Sequence, residues 1–265
     1  MGRMIRTVLQ ALRKSAPSKQ PDPASSDLAS SDLVQPLVAP DWAPQRPPAG
    51  PRDAAVYWPG IFEANSLDNA KAIALTPEKD QSTDERWQVE TDFTIDMVAS
   101  RLQINEKHRV LDFGCGAGRM SRALIERFGC SVVGVDQAQK MREYAVGYVG
   151  SPRFSVFSPE EFDAQVAQGL SVDFGLACWV LQHCMYPAQQ VGRIANALAA
   201  DAPFLLINSV LRLIPTNQGW RSDGEDLDAC MGVRFENLER LGFPPGVAAE
   251  DVINSSSISW WQRKV

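Results

Sequence analysis

The chain has 265 residues, 32 acidic side chains against 26 basic ones for a net charge of −6, two histidines, five cysteines and 18 prolines. No run of about 18 apolar residues occurs, so no membrane-spanning helix is expected, and a pI near 5.1 argues against a broad nucleic-acid footprint. Cys115, Cys130, Cys178, Cys184 and Cys230 are odd in number and contain no C-x-x-C pair, which argues against a disulfide framework and a structural zinc site and suits a reducing cytoplasm.

Residues 1–14 carry Arg3, Arg6, Arg13 and Lys14 and no acid, so the remainder carries −10. Met4, Ile5, Val8, Leu9 and Leu12 fall on one helical face. This predicts a short cationic amphipathic helix that could dock on an anionic membrane surface or on a protein, be a cleaved targeting segment, or have no function. Residues 15–52 hold nine of the prolines among Ala, Ser, Asp and Gln, too few large apolar groups to offset the entropy of ordering, and are expected to be a disordered linker. The folded domain is expected over 53–265.

Val56–Phe62 is apolar and aromatic and should pack onto the body; lying outside the motifs, it is also expected to help choose the acceptor. Ser82-Thr83-Asp84-Glu85 has the spacing of a capping box, predicting a helix over 83–102. Strands are then expected over 109–113, 131–135, 153–157, 173–179 and 203–209. Helical runs alternate with them over 119–128, 137–148, 159–168 and 188–199. That alternation implies βαβ units and a parallel sheet, to which 258–263 can add an edge strand.

The segment Val110-Leu111-Asp112-Phe113-Gly114-Cys115-Gly116-Ala117-Gly118-Arg119 runs from an apolar strand through three glycines into a helix. Glycines there permit unusual backbone angles and close approach of a ligand to the main chain. The dinucleotide fingerprint G-x-G-x-x-G would need its third glycine at position 119, which is Arg119, so a dehydrogenase is disfavoured. Asp112, two residues before the first glycine, suits a cationic ammonium better than a pyrophosphate. Val132-Val133-Gly134-Val135-Asp136 ends one βα unit later in a carboxylate at the ligand-binding edge of the sheet. Asp136 could accept hydrogen bonds from both ribose hydroxyls or simply cap the next helix.

"VLDFGCGAGRMSRAL", "VVGVDQAQKM" and "DFGLACWVLQHC" together resemble the class I S-adenosylmethionine-dependent methyltransferases, over about 86–210. The resemblance implies an α/β, Rossmann-like three-layer sandwich whose mostly parallel seven-stranded sheet has one antiparallel edge strand. It also implies S-adenosylmethionine as cofactor. Asp112, Gly114, Cys115 and Gly116 would hold the methionine end, Asp136 the ribose, and Gln137 the adenine. The loop Ser158-Pro159-Glu160-Glu161 would face the adenine amino group, with Ser158 and Glu160 as candidates. Trp179, ending the fourth strand, would lie on the cofactor side. Arg86, in a segment resembling the helix that closes over the cofactor, would approach the cofactor carboxylate.

Methyl transfer asks mainly for alignment, desolvation and, for a hydroxyl acceptor, removal of a proton. His183, after the fourth strand, is the candidate base, since imidazole titrates near neutrality; alternatively it orders the turn through backbone bonds. His108 reads as a surface residue, and Cys178 and Cys184 as buried thiols rather than metal ligands. Trp220 and Arg221, in a Gly-flanked loop, could form a lid or a stacking platform for a sugar or aromatic ring. Trp260 and Trp261 could face the acceptor or close the core. The expected function is methylation of a small-molecule acceptor, at oxygen or nitrogen rather than carbon, in the cytoplasm, with no nucleic-acid substrate. The alternative is a non-catalytic cofactor-binding or assembly protein.

Overall fold

The computed structural model describes residues 55–78 and 81–265; the basic head and the Pro-rich stretch lie outside the described residues. A 3-10 turn, Pro59–Phe62, precedes α1 (Leu67–Ala74) and α2 (Thr83–Arg101). There follow β1 (Arg109–Phe113), α3 (Arg119–Phe128), β2 (Ser131–Val135), α4 (Gln139–Val149), β3 (Phe154–Phe157), α5 (Pro159–Ala167) and β4 (Phe174–Cys178). A 3-10 turn, Leu181–His183, leads to α6 (Pro187–Ala197), β5 (Pro203–Ser209), β6 (Ile214–Thr216) and β7 (Gly219–Arg221). The described chain closes with α7 (Leu227–Gly232), β8 (Phe235–Leu241), α8 (Glu250–Ser255) and β9 (Ser256–Arg263).

The seven-stranded sheet has the order β3-β2-β1-β4-β5-β9-β8, and β6 and β7 form a separate two-stranded ribbon. Strands β1 to β5 pair in parallel, while β9 runs antiparallel to both β5 and β8. The expectation of an antiparallel edge strand near the C-terminus therefore needs correcting. β9 is the antiparallel strand, but β8 covers it and forms the edge. β8 escapes a sequence reading because Glu236, Asn237, Glu239 and Arg240 interrupt its apolar pattern, the charged dress of a strand with one side open to water.

The pleat divides each central strand between two cores. Leu111, Phe113, Val133, Val135, Phe204 and Leu206 pack with α5, α6 and α7 on one face. Val110, Val132, Phe174, Leu176, Leu205 and Ile207 pack with α2, α3 and α8 on the other. Burial on both faces is why these strands read as continuous apolar runs. Trp260 and Trp261 are each 3% exposed and belong to opposite cores, so they close the core and do not face an acceptor.

The capping box of α2 forms as expected: Glu85 N–H donates to Ser82 Oγ at 3.2 Å and Ser82 N–H to the Glu85 carboxylate at 2.8 Å. α4 is capped from a distance. Gln139 N–H and Lys140 N–H donate to the Glu63 carboxylate at 3.1 and 3.0 Å. The same upstream strap pairs with the β6–β7 ribbon: Trp58 N–H donates to Pro215 O and Asn217 N–H to Val56 O, both at 2.9 Å.

Candidate functional site

The strand order reverses direction between β1 and β4, so the crevice beyond their C-terminal ends is the switch point at which open α/β sheets bind ligands. The glycine loop sits there, with Gly114, Gly116 and Gly118 at φ of 72°, 53° and 88°. Their reasons for being glycine differ. A Cβ at Gly114 would lie 2.2 Å from a Val180 methyl, and one at Gly118 would lie 2.5 Å from a Val149 methyl. At Gly116 the nearest atom would be Ala74 Cβ at 3.8 Å, so its left-handed backbone leaves room beside it that a ligand can enter.

Asp136 clamps this loop. Its two carboxylate oxygens accept from Gly116 N–H and Ala138 N–H, each at 2.9 Å. Desolvation raises its pKa, offset in part by those two backbone bonds and by Arg142. The adjacent Gln137 amide lies 3.4 Å from the Tyr57 hydroxyl. Asp112 is 2% exposed and accepts from Ser121 Oγ at 2.7 Å, which ties β1 to α3. Burial pushes its pKa up to about 6, with Ser121 and Arg119 offsetting only part of that. The Cys115 side chain is buried beneath the loop against Gly134, so only its backbone can serve a ligand.

These features fit S-adenosylmethionine. A buried carboxylate short of countercharge suits an ammonium, a half-buried one at the end of β2 suits a ribose, and the open side of Gly116 suits close approach to the main chain. Ser158 is committed elsewhere: it closes a capping box on α5 with Glu161, at 2.7 and 3.2 Å. Glu160 is exposed in the first turn of that helix.

Arg86 does not fit the expected role. Its guanidinium lies 2.8 Å from Glu90 Oε1 and 3.3 Å from Glu78 Oε1, and it donates to Thr76 O at 2.6 Å. Glu90 also accepts from Trp179 Nε1 at 3.2 Å. Trp179 stacks on Phe243 at 5.7 Å and holds a φ of 63°, a genuine outlier for a bulky residue. It directly follows β4 at the switch point, where such strain accompanies functional geometry.

The base role expected of His183 also needs correcting. Nδ1 donates to Leu213 O at 2.7 Å, which leaves Nε2 to accept from the Gln182 amide at 3.1 Å. Burial pushes its pKa down to about 4, so the ring is neutral at pH 7 with both nitrogens engaged. It is a docking point for the ribbon. Its ring lies 5.1 Å from Trp220 and 5.7 Å from Phe62, giving an aromatic cluster to which the upstream strap contributes. Arg221 is exposed and bonds to Gln218 at 3.2 Å. Arg212 is the buried staple of this cap: it holds Asp223 through two contacts of 2.9 and 2.6 Å and donates to Leu181 O and Cys184 O. Sequence reasoning missed Glu63 and Arg212, whereas Tyr57 and Phe62 lie in the 56–62 segment expected to help choose the acceptor. No local pattern signalled Glu63 or Arg212.

Among the described residues no three His, Cys, Asp or Glu side chains gather as metal ligands would, and no helix is long and apolar enough to cross a membrane.

Residues 111–206 match the family Methyltransf_11, described as "Methyltransferase domain". The geranyl diphosphate 2-C-methyltransferase of Saccharopolyspora erythraea is 41% identical over 23% of this chain and 20% of its own. The sterol 24-C-methyltransferase of Clavispora lusitaniae is 34% identical over 26% and 22%. The chain thus aligns with about a fifth of the length of these relatives. The cyclopropane synthase MmaA2 of Mycobacterium tuberculosis shares the fold, with a TM-score of 0.51 at 15% identity over 70% of this chain and 87% of that one. The sheet order and the glycine loop clamped by Asp136 agree with the family match over the central strands: residues 111–206 carry the pattern of a class I S-adenosylmethionine-dependent methyltransferase domain.

Proposed function

We propose that this domain, running from about residue 53 to 265, transfers methyl from S-adenosylmethionine to a small molecule held under the aromatic cap. The observation that carries this reading is the Asp136–Gly116 clamp, at 2.9 Å, at the switch point beside a cap of Phe62, His183 and Trp220. When bound, the cofactor supplies an electrophilic methyl on a sulfonium. Gly114 to Gly118 and Asp136 hold its adenosyl part, and Asp112 places negative charge near the ammonium. Phe62 and Trp220 face the acceptor and keep water from it.

His183 offers no free lone pair, so the cap suits an acceptor atom that is already nucleophilic: a neutral amine, an ionised oxygen or an electron-rich carbon. Both relatives named above are C-methyltransferases, which sets carbon beside the oxygen and nitrogen expected from sequence. All five cysteines are unpaired, in keeping with a cytoplasmic setting.

Calorimetry with S-adenosylmethionine and S-adenosylhomocysteine tests the cofactor half of the reading, and absence of binding by both would falsify it. Labelled donor incubated with a metabolite extract tests the transfer. Label moving to a small molecule with wild type but not with Asp136→Ala is the expected result; a protein that binds cofactor and labels nothing would favour the assembly role.

A further inference from the structure

The methionine end of the cofactor is zwitterionic, and the family resemblance gives its carboxylate to Arg86. Here that arginine is more than neutralised. Glu90 and Glu78 both lie within ion-pair distance of it, and Thr76 O takes a further N–H. A third carboxylate brought to this cluster would meet net negative charge in a desolvated setting.

Arg119 is in the opposite condition. It is the first residue of α3, directly after Gly118, and is 7% exposed. Its NH1 donates to the Thr91 hydroxyl at 3.0 Å, and its guanidinium lies 5.9 Å from the Trp87 ring centre. No carboxylate among the described residues stands within ion-pair distance of it. A guanidinium carries five N–H donors, and among the described residues only one bond of this one goes to a protein acceptor, the neutral Thr91 hydroxyl, which leaves donors available to an anionic ligand. Its charge acts on Asp112 and on Cys178, at the ends of β1 and β4, the two strands that flank the switch point. Trp87 and the loop residue Ala117 share one apolar cluster, which brings α2 and the glycine loop together around this cation. The N-terminus of α3 adds partial positive charge in the same place.

We propose that Arg119, and not Arg86, receives the α-carboxylate of S-adenosylmethionine, with Thr91 and Trp87 orienting the guanidinium and Asp112 supplying the opposite charge for the ammonium. This rests on the cofactor reading above. The two charged residues, one ending β1 and one opening α3, read the two charges of the amino-acid end.

Calorimetry on the full chain with S-adenosylmethionine and its decarboxylated analogue, which lacks only that carboxylate, reads the contact without an acceptor. Wild type is expected to prefer the carboxylated ligand by roughly tenfold or more, the range for a charge-assisted bond. Arg119→Gln is expected to bring the ratio near one while still binding the decarboxylated ligand as wild type does, which also reports its folding. Arg119→Lys, keeping the charge, is expected to retain part of the preference and reads the same contact should the glutamine variant not fold. Arg86→Gln is expected to leave the ratio unchanged. Undiminished preference in both Arg119 variants, or loss confined to Arg86→Gln, overturns the assignment. Wild type that binds none of S-adenosylmethionine, its analogue and S-adenosylhomocysteine overturns the cofactor reading and this inference together.

Discussion

Gly114 and Gly116 share a left-handed backbone, yet substituting them should have opposite signatures. Alanine at Gly114 drives a methyl into Val180, whose nearest atom would be 2.2 Å away, and the loop or the turn after β4 must move. A loss of about 2 kcal/mol or more of stability is expected, visible as a lower Tm. Alanine at Gly116 meets nothing closer than 3.8 Å and bears only the backbone penalty of about 1 kcal/mol. Its expected effect is a loss of cofactor affinity of at least tenfold with little change in Tm. Calorimetry and thermal unfolding on the two variants check this, and equal Tm losses with equal affinities would refute it. Both glycines were legible in the sequence, since the motif names them. The distinction between them was not, because it depends on Val180 and Ala74, which approach the loop from other parts of the chain.

Among the elements, the β6–β7 ribbon depends on polar staples rather than on a core of its own. Arg212→Ala would take the donor from Cys184 O and the ion pair from Asp223, leaving Leu181 O with Cys184 N–H and Asp223 with Glu225 N–H. A cost of about 2 kcal/mol or more is expected, with hydrogen exchange rising over 210–223 while β1 to β5 keep their protection. His183 adds a pH dependence. Its pKa is lowered from an ordinary 6.5 to about 4, so between those values the unfolded chain binds more protons than the folded one. Its contribution is complete above about 6.5 and is lost as pH falls toward 4. Asp112, raised to about 6, works in the opposite sense in part of that window, so the comparison must isolate the histidine. The Tm of wild type is expected to fall more steeply from pH 7 to 5 than that of His183→Asn; parallel curves would remove His183 as the cause. Strands β1, β2 and β5 were legible to the residue because each is a short, mostly apolar run between turns. The strap and ribbon were not, since Val56 and Asn217 meet across 161 residues, a pairing that no local pattern encodes.

At the scale of the molecule, a head of +4 precedes a remainder of −10. Opposite charge on an apolar-faced head predicts that the full chain co-sediments with anionic vesicles in a salt-dependent way, and that a chain starting at Arg52 does not. Equal sedimentation of the two would sink the idea. The fold class itself was readable because the alternation of strands and helices constrains topology so tightly. The acceptor side was not, because it is built from segments before and after the alternating region, whose positions only the folded chain determines.

The long-range cap on α4 has a consequence for how the protein can be divided. The family match opens at residue 111, and α4 lies inside it, yet the acid that completes the helix is Glu63, outside it. The piece inherited as a recognisable unit and the piece that stands as a finished structure are therefore different objects. Recombination, or trimming, at the boundary of the recognisable unit would part the helix from its cap, within three residues of Asp136.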